Sequence, residues 1–334
     1  MSSEVIMEAR NLVKHFPIRM GFFKTLLATG AQVPYVHAVD DVSFNIYKNE
    51  IFGLVGESGC GKTTTGRLVI KLVDPTAGEV IFKGINLTAI NSEKEMRMLR
   101  RQMQIIFQDP YESLNPRMSV FDIIAEPARL QKIAENEEDL KQRVHQTLED
   151  LDLTPPEEFM FRFPHELSGG QRQRVAIGRA FILRPEFLVA DEPVSMLDAS
   201  IRSEVLKVLI GLIEKHHTSF LYITHDMAMA RHMCKRISVM YLGKIAEQGP
   251  AEKVIKEPLH PYSEALIAAV PIPDPMARRT KVVLKGEVPS AINPPSGCRF
   301  HTRCPYAWDL CRKEEPPFAE IEKGRFVACH KYKA

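Results

Sequence analysis

The run Gly56-Glu57-Ser58-Gly59-Cys60-Gly61-Lys62-Thr63 fits the pattern G-x-x-x-x-G-K-[ST], with Thr64 next to it. Glycines let consecutive backbone N–H groups turn toward phosphate oxygens, and a helix starting there adds its partial positive charge. Lys62 is placed to reach β- and γ-phosphates, and the Thr63 hydroxyl to ligate Mg²⁺. Three further stretches could supply the rest of a phosphoryl-transfer site. "EFLVADEP" ends an apolar run at Asp191, suited to hold the metal through water, and Glu192 beside it could orient and deprotonate an attacking water. "TSFLYITHD" ends at His225, a candidate hydrogen-bond partner for a γ-phosphate, and "QIIFQDP" carries Gln108, a neutral amide suited to the metal and the attacking water. Each has a plainer alternative: a turn that binds nothing, a solvated carboxylate, a core histidine.

These residues need elements to hold them. Ile51–Val55 reads as a buried parallel strand, and Gly66–Val73 continues as a helix. Phe187–Ala190 and the run before His225 are further apolar strands, so His225 lies at a strand's carboxyl end, the ligand side of an open parallel sheet. "ISVMYLGKIAEQG" reads as a hairpin, and residues 111–165 are rich in helix formers with long charged faces. With 334 residues, 45% hydrophobic and 26% charged, the chain can bury a sizeable core in two domains or one with an appendage. A net charge of +2 gives no footing for a nucleic-acid partner. No stretch approaches the ~20 apolar residues of a membrane span, and "MSSEVIMEAR" is not a signal peptide. A soluble chain that works where it is made, on a membrane protein if need be, is the expectation.

A second glycine pair follows at Leu167-Ser168-Gly169-Gly170-Gln171. Alone it reads as a helix start with Ser168 as N-cap. In order with the phosphate loop, the glutamine after "IIF", the "DEP" strand, "SMLD" and the strand ending in histidine, it resembles the signature of ATP-binding-cassette (ABC) ATPases. The resemblance covers residues 4 to about 250. It implies an α/β fold: a P-loop NTPase core with a parallel sheet, an antiparallel β-subdomain, an inserted α-helical subdomain at about 111–165 and a small C-terminal extension at 251–334. It implies a head-to-tail pair of ATPases in which Ser168, Gly169, Gly170 and Gln171 meet the γ-phosphate of the partner's ATP. Asp198 would lie at that interface. Met196 stands where the family more often has alanine. Phe16 is the expected adenine-stacking ring, with Tyr35 the alternative because 17–35 looks like an insertion.

Six cysteines are unevenly placed, with Cys298, Cys304, Cys311 and Cys329 crowding the tail as C-x5-C-x6-C-x17-C. Reduced thiols so clustered suggest a metal; structural zinc, an iron–sulfur cluster and no metal are all open, with His301 and His330 as substitute ligands. "QDPYESLNPRMSV", "EPLHPYSEALIAAVPIPDP" and the cysteine tail resemble oligopeptide and dipeptide permease ATPases, in particular the F-type of their two unlike ATPases. That subfamily implies a [4Fe–4S] cluster, with zinc as the alternative. It also implies a non-identical second ATPase, two transmembrane permease subunits, an extracytoplasmic solute-binding protein, and a place on the cytoplasmic face of the inner membrane. The implied activity is ATP hydrolysis that powers peptide import. Other cargoes (nickel, glutathione, oligosaccharide) and a soluble non-transport ABC ATPase are the alternatives. Cys60, near a helix N-terminus, is expected to have a lowered pKa, to react with thiol reagents and to be protected by ATP.

Overall fold

The computed structural model describes residues 4–18, 33–269 and 286–332. Most of the 17–35 insertion and part of the C-terminal extension lie outside them. The chain forms two compact units. One contains residues 46–51 and 89–223 with the start of the first strand. The other contains residues 7–45, 52–88 and 224–334.

In the first unit, β6 (Met103–Ile106), β7 (Phe187–Asp191) and β8 (Ser219–Thr224) run parallel, with Ile106 opposite Ala190 and Ala190 opposite Tyr222. β7 and β8 are buried along their whole length, which is why they read as unbroken apolar runs rather than alternating ones. The helices Val120–Leu130 and Glu137–Asp150 lie within the charged stretch at 111–165, as its composition predicted. Ser119 and Asn136 cap them by accepting from Asp122 N and Asp139 N. Their Ile123, Ile124, Leu140, Val144 and Leu148 are buried, and the charged residues fill the solvated face.

In the second unit, β2 (Tyr35–Tyr47), β1 (Val5–Pro17), β4 (Ala77–Phe82) and β5 (Ile85–Asn86) form a four-stranded sheet in that order, with β1–β4 and β4–β5 antiparallel. This is the expected β-subdomain. β3 (Ile51–Val55) pairs in parallel with β9 (Arg236–Tyr241), and β9 turns into antiparallel β10 (Lys244–Pro250). Leu242 at φ 43° and Gly243 at φ 84° supply the left-handed residues of that hairpin turn. The helix after the phosphate loop spans Lys62–Val69, earlier than the sequence reading of Gly66–Val73. Gly61 opens it and the chain turns away at Lys71, φ 51°.

The C-terminal extension is more than a stapled appendage. Its β11 (Phe318–Glu322) and β12 (Arg325–Ala328) form a hairpin, and β12 adds to β10 with Glu247 opposite Val327. Beneath that junction Arg325 and Glu247, with side chains 1% and 0% exposed, form an ion pair at 3.3 Å. Glu247 also accepts from the backbone N–H of Leu259 and His260. A buried charge so fully bonded ties the extension to the strand beside it.

Candidate functional site

The phosphate loop leaves β3 at Val55 and closes on Gly61, which lies at φ 107°. A Cβ there would sit 2.2 Å from the Ala38 carbonyl oxygen, so backbone angle and space both demand glycine. No side chain caps the helix that follows, so its first N–H groups are those a phosphate would take. Lys62, 5% exposed, curls back and donates from Nζ to the carbonyls of Gly56 and Glu57 at 2.8 and 2.9 Å. Ser58 and Gly59 are exposed on the loop, and Thr63 and Thr64 half-exposed in the first helical turn.

Cys60 corrects an expectation. It is 5% exposed, and burial pushes its thiol pKa up despite the nearby Lys62 ammonium. Desolvation of the thiolate outweighs the helix terminus and the cation, so the loop thiol is held protonated.

In the first unit, Gln108 lies two residues beyond β6 and donates from Nε2 to Oε2 of Glu192 at 3.3 Å. Asp191 ends β7 and is 4% exposed. Glu192, at φ 46°, turns the chain out of the strand; its N–H donates to Ile223 O at 2.9 Å, and its carbonyl accepts from Ser195 N. A left-handed glutamate is uncommon and recurs where a side chain must be aimed. The same unit carries Ser168, exposed, whose Oγ accepts from Gln171 N at 3.3 Å while Gln171 Oε1 accepts from Ser168 N at 2.9 Å. This reciprocal capping box starts the helix Gly169–Phe181. A Cβ on Gly170 would meet Ile201 Cγ2 at 2.5 Å, so helix packing accounts for one of the two glycines. Asp198 is exposed at the start of the helix Ala199–His216, and Met196 beside it is 60% exposed.

In the second unit His225 is exposed just past β8. Phe16, at the end of β1, is 38% exposed with the Lys14 ammonium 5.1 Å from its ring centre, and Tyr35 is 46% exposed. Both rings are open to a base.

The four tail cysteines line one cavity of about 130 Å³ together with His260 and Trp308. Yet no three of their sulfurs lie within 4.8 Å of one another. A tetrahedral zinc site, with Zn–S of about 2.3 Å, needs sulfurs about 3.8 Å apart, so as placed they are not a zinc ligand set. They are not drawn together around any centre, and iron–sulfur and zinc expectations alike rest on spacing and resemblance. The compact donor group among the described residues is instead His15, His37 and Asp40, which sequence reading missed because its members lie on two strands. It is a hydrogen-bonded network: Asp40 already accepts from Arg299 and bonds His15, with His37 Nδ1 at 3.2 Å. A guanidinium on the same carboxylate opposes a second cation there.

Comparison with known proteins follows the same division. The family pattern "ABC transporter" matches residues 39–195, and "Oligopeptide/dipeptide transporter, C-terminal region" matches 246–311. The probable peptide ABC transporter ATP-binding protein y4tS of Sinorhizobium fredii is 46% identical, covering 98% of this chain and 90% of that protein. The oligopeptide transport ATP-binding protein AppF of Bacillus subtilis is 44% identical over 99% and 98%. Among solved structures, the ATP-binding cassette MJ0796 bound to ADP and Pi, a dimer, aligns with TM-score 0.62 at 27% identity, covering 74% of this chain and 99% of that one. Another, cbiO1 from Clostridium perfringens, part of the ABC transporter complex cbiONQ, aligns with TM-score 0.63 at 25% identity over 76% and 92%. With the phosphate loop, the Gln108–Glu192 pair and the capped signature helix already in place, these likenesses settle the assignment: the chain belongs to the ABC transporter ATPase family, in the branch that carries the oligopeptide/dipeptide transporter C-terminal region.

Proposed function

We propose that this chain is the ATP-hydrolysing subunit of a membrane importer for di- and oligopeptides. The observation that carries the reading is the match at 246–311 to a C-terminal region named for oligopeptide and dipeptide transport, alongside near-full-length likeness to peptide-transport ATP-binding proteins. No described helix is long and apolar enough to cross a membrane, so the membrane path belongs to partners. Those are two permease subunits, a second and non-identical ATPase, and an extracytoplasmic solute-binding protein, with this chain peripheral on the cytoplasmic face. In this reading residues 1–250 are the cassette, with 111–165 as the helical subdomain that meets the permease, and 251–334 are the extension.

In the mechanism the loop 56–64 wraps the phosphates with backbone N–H groups while Lys62 exchanges its two carbonyl partners for β- and γ-oxygens. Mg²⁺, when bound, would take the Thr63 hydroxyl as a ligand, with Asp191 and Gln108 as the further ligands the family resemblance implies, and would supply charge neutralisation at the phosphates. Glu192 takes a proton from the attacking water, and the amide of Gln108 holds that carboxylate in its aimed rotamer. His225 steadies the γ-phosphate, and Phe16 stacks on adenine. Ser168, Gly169, Gly170 and Gln171 present their helix N-terminus to the partner's ATP, and exposed Asp198 touches the partner across the same seam. Closure on ATP and reopening on hydrolysis drive the permease.

The test is purification of the tagged chain from detergent-solubilised native membranes with identification of what accompanies it. Two multi-span proteins and a second ATPase are expected, and uptake of a labelled peptide should need the chain. Ribosomal or DNA-repair proteins in place of permeases would overturn the reading.

One further part of the reading, a [4Fe–4S] cluster held by the thiolates of Cys298, Cys304, Cys311 and Cys329, rests on their spacing and on the resemblance, with zinc as the alternative. Burial keeps Cys298, pushed up to about 12, and also Cys304 and Cys329 protonated without a cation, so loading would release protons. The cluster would supply a structural tie, with electron transfer as an option. Equal iron and acid-labile sulfide in protein purified without air is the expected result; zinc, or no metal, sinks it.

A further inference from the structure

The C-terminal extension reaches into the phosphate loop. Arg303 sits in the turn between Cys298 and Cys304 and bonds Glu57 with both ends of its guanidinium: Nη1 to Oε2 at 2.8 Å and Nη2 to Oε1 at 3.1 Å. Glu57 is the second residue of the loop. Its carbonyl accepts from Lys62, and its N–H donates to the Tyr262 hydroxyl at 2.9 Å. Residues beyond position 250 thus hold Glu57 by side chain and backbone at once. The Arg303 side chain is 8% exposed and its guanidinium lies 5.8 and 5.9 Å from the ring centres of Tyr241 and Phe300. Backbone bonds from Arg303 N and Cys304 N to Phe300 O, both 3.0 Å, and from Cys298 N to Cys311 O at 2.9 Å, fix the turn that carries it.

The charge pattern gives this contact a purpose. A carboxylate in a loop that must receive a triphosphate repels its ligand unless neutralised, and with Glu57 27% exposed and Arg303 8% exposed water screens the pair only in part. A planar guanidinium both cancels the charge and sets the carboxylate's orientation. We propose that Arg303 is a positioning residue for the phosphate loop, so that the C-terminal extension completes the nucleotide site of the same chain. The inference rests on the phosphate loop being the ATP site.

The test is binding of a fluorescent ATP analogue with Mg²⁺ to the full-length chain. Arg303→Gln should weaken binding about 10-fold by leaving the Glu57 charge uncompensated. Arg303→Lys should lose about threefold, keeping charge but not the two-point grip. The double variant Arg303→Gln/Glu57→Gln should recover most of the loss, which a packing role for Arg303 would not allow. In hydrolysis the change should fall on KM and not kcat. Wild-type affinity in Arg303→Gln, or a double variant no better than the single, overturns the proposal. Should Arg303→Gln fail to fold, Arg303→Lys alone decides: a loss of about threefold is expected, and wild-type affinity counts against the two-point grip. A wild-type chain that binds no nucleotide overturns the site assignment itself and this inference with it.

Discussion

Gln108 donates to Glu192 across 3.3 Å, and Glu192 holds a left-handed backbone at φ 46°. One residue aims the carboxylate by its backbone and the other by its amide. Glu192→Gln should cut hydrolysis by about 10²–10³ while leaving ATP bound, since general-base assistance is of that order. Single-turnover hydrolysis and ATP occlusion in the assembled dimer check it. Turnover at the wild-type rate would remove Glu192 from its role. Gln108→Ala should lower kcat less, by about tenfold, because the carboxylate remains.

The signature glycine and serine separate stability from function. Gly170→Ala drives a methyl against Ile201 Cγ2 and should destabilise the fold by about 1–3 kcal/mol. Ser168→Ala should cost only about 1 kcal/mol as a lost cap, yet hydrolysis at the partner's site should fall well beyond what that loss explains. Urea denaturation beside ATPase assays of the mixed dimer distinguishes the two effects. Unchanged stability in Gly170→Ala would mean that the helix shifts to make room.

His260 gives a pH signature. It is fully buried, its Nδ1 accepts from Tyr262 N, and burial pushes its pKa down to about 4 from an ordinary 6.5. Below 6.5 the unfolded chain binds a proton that the folded chain refuses. Stability from this residue is complete above 6.5, falls as pH drops toward 4, and is constant below that. The total is about 3 kcal/mol at ~1.4 per unit. Denaturation midpoints from pH 7.5 to 4.5 should show this decline, and His260→Gln should be less stable at pH 7.5 but flatter with pH. A parallel decline in the variant would assign the effect to other groups.

Cys60 should be a slow thiol. Burial raises its pKa, so maleimide should modify it more slowly than an unstructured cysteine at pH 7, with or without ATP. Peptide mass mapping over a time course measures this. Fast labelling blocked by ATP would reinstate the activated thiol expected from the sequence.

The chemistry was more legible in the sequence than the helix ends or the tail. Strand β3 matches the apolar run Ile51–Val55 to the residue, because burial on both faces leaves no polar position to blur its ends. The helix after it starts four residues before the sequence reading: Gly61 permits a turn no other residue would, and periodicity begins only with the apolar residues beyond it. The capping box at Ser168 was readable from residue types three apart, but the demand for glycine at 170 was not, since Ile201 is distant in sequence. The tail was read from its cysteine spacing, with zinc, an iron–sulfur cluster and no metal all open. It packs by adding β12 to β10 and burying Arg325 against Glu247, a solution invisible to composition.

What the sequence alone determined is therefore the set of chemical groups and their order along the chain. Phosphate loops, caps and buried strands are local solutions, set by spacing within a turn of helix or a few residues of strand. Only the tertiary structure decided which distant residues meet. It set Gln108 against Glu192, and Arg303 and Tyr262 against Glu57, and it buried Cys60 so that position near a helix terminus lost to desolvation. Charge and burial act through space, so their outcome depends on neighbours that the order of residues does not name.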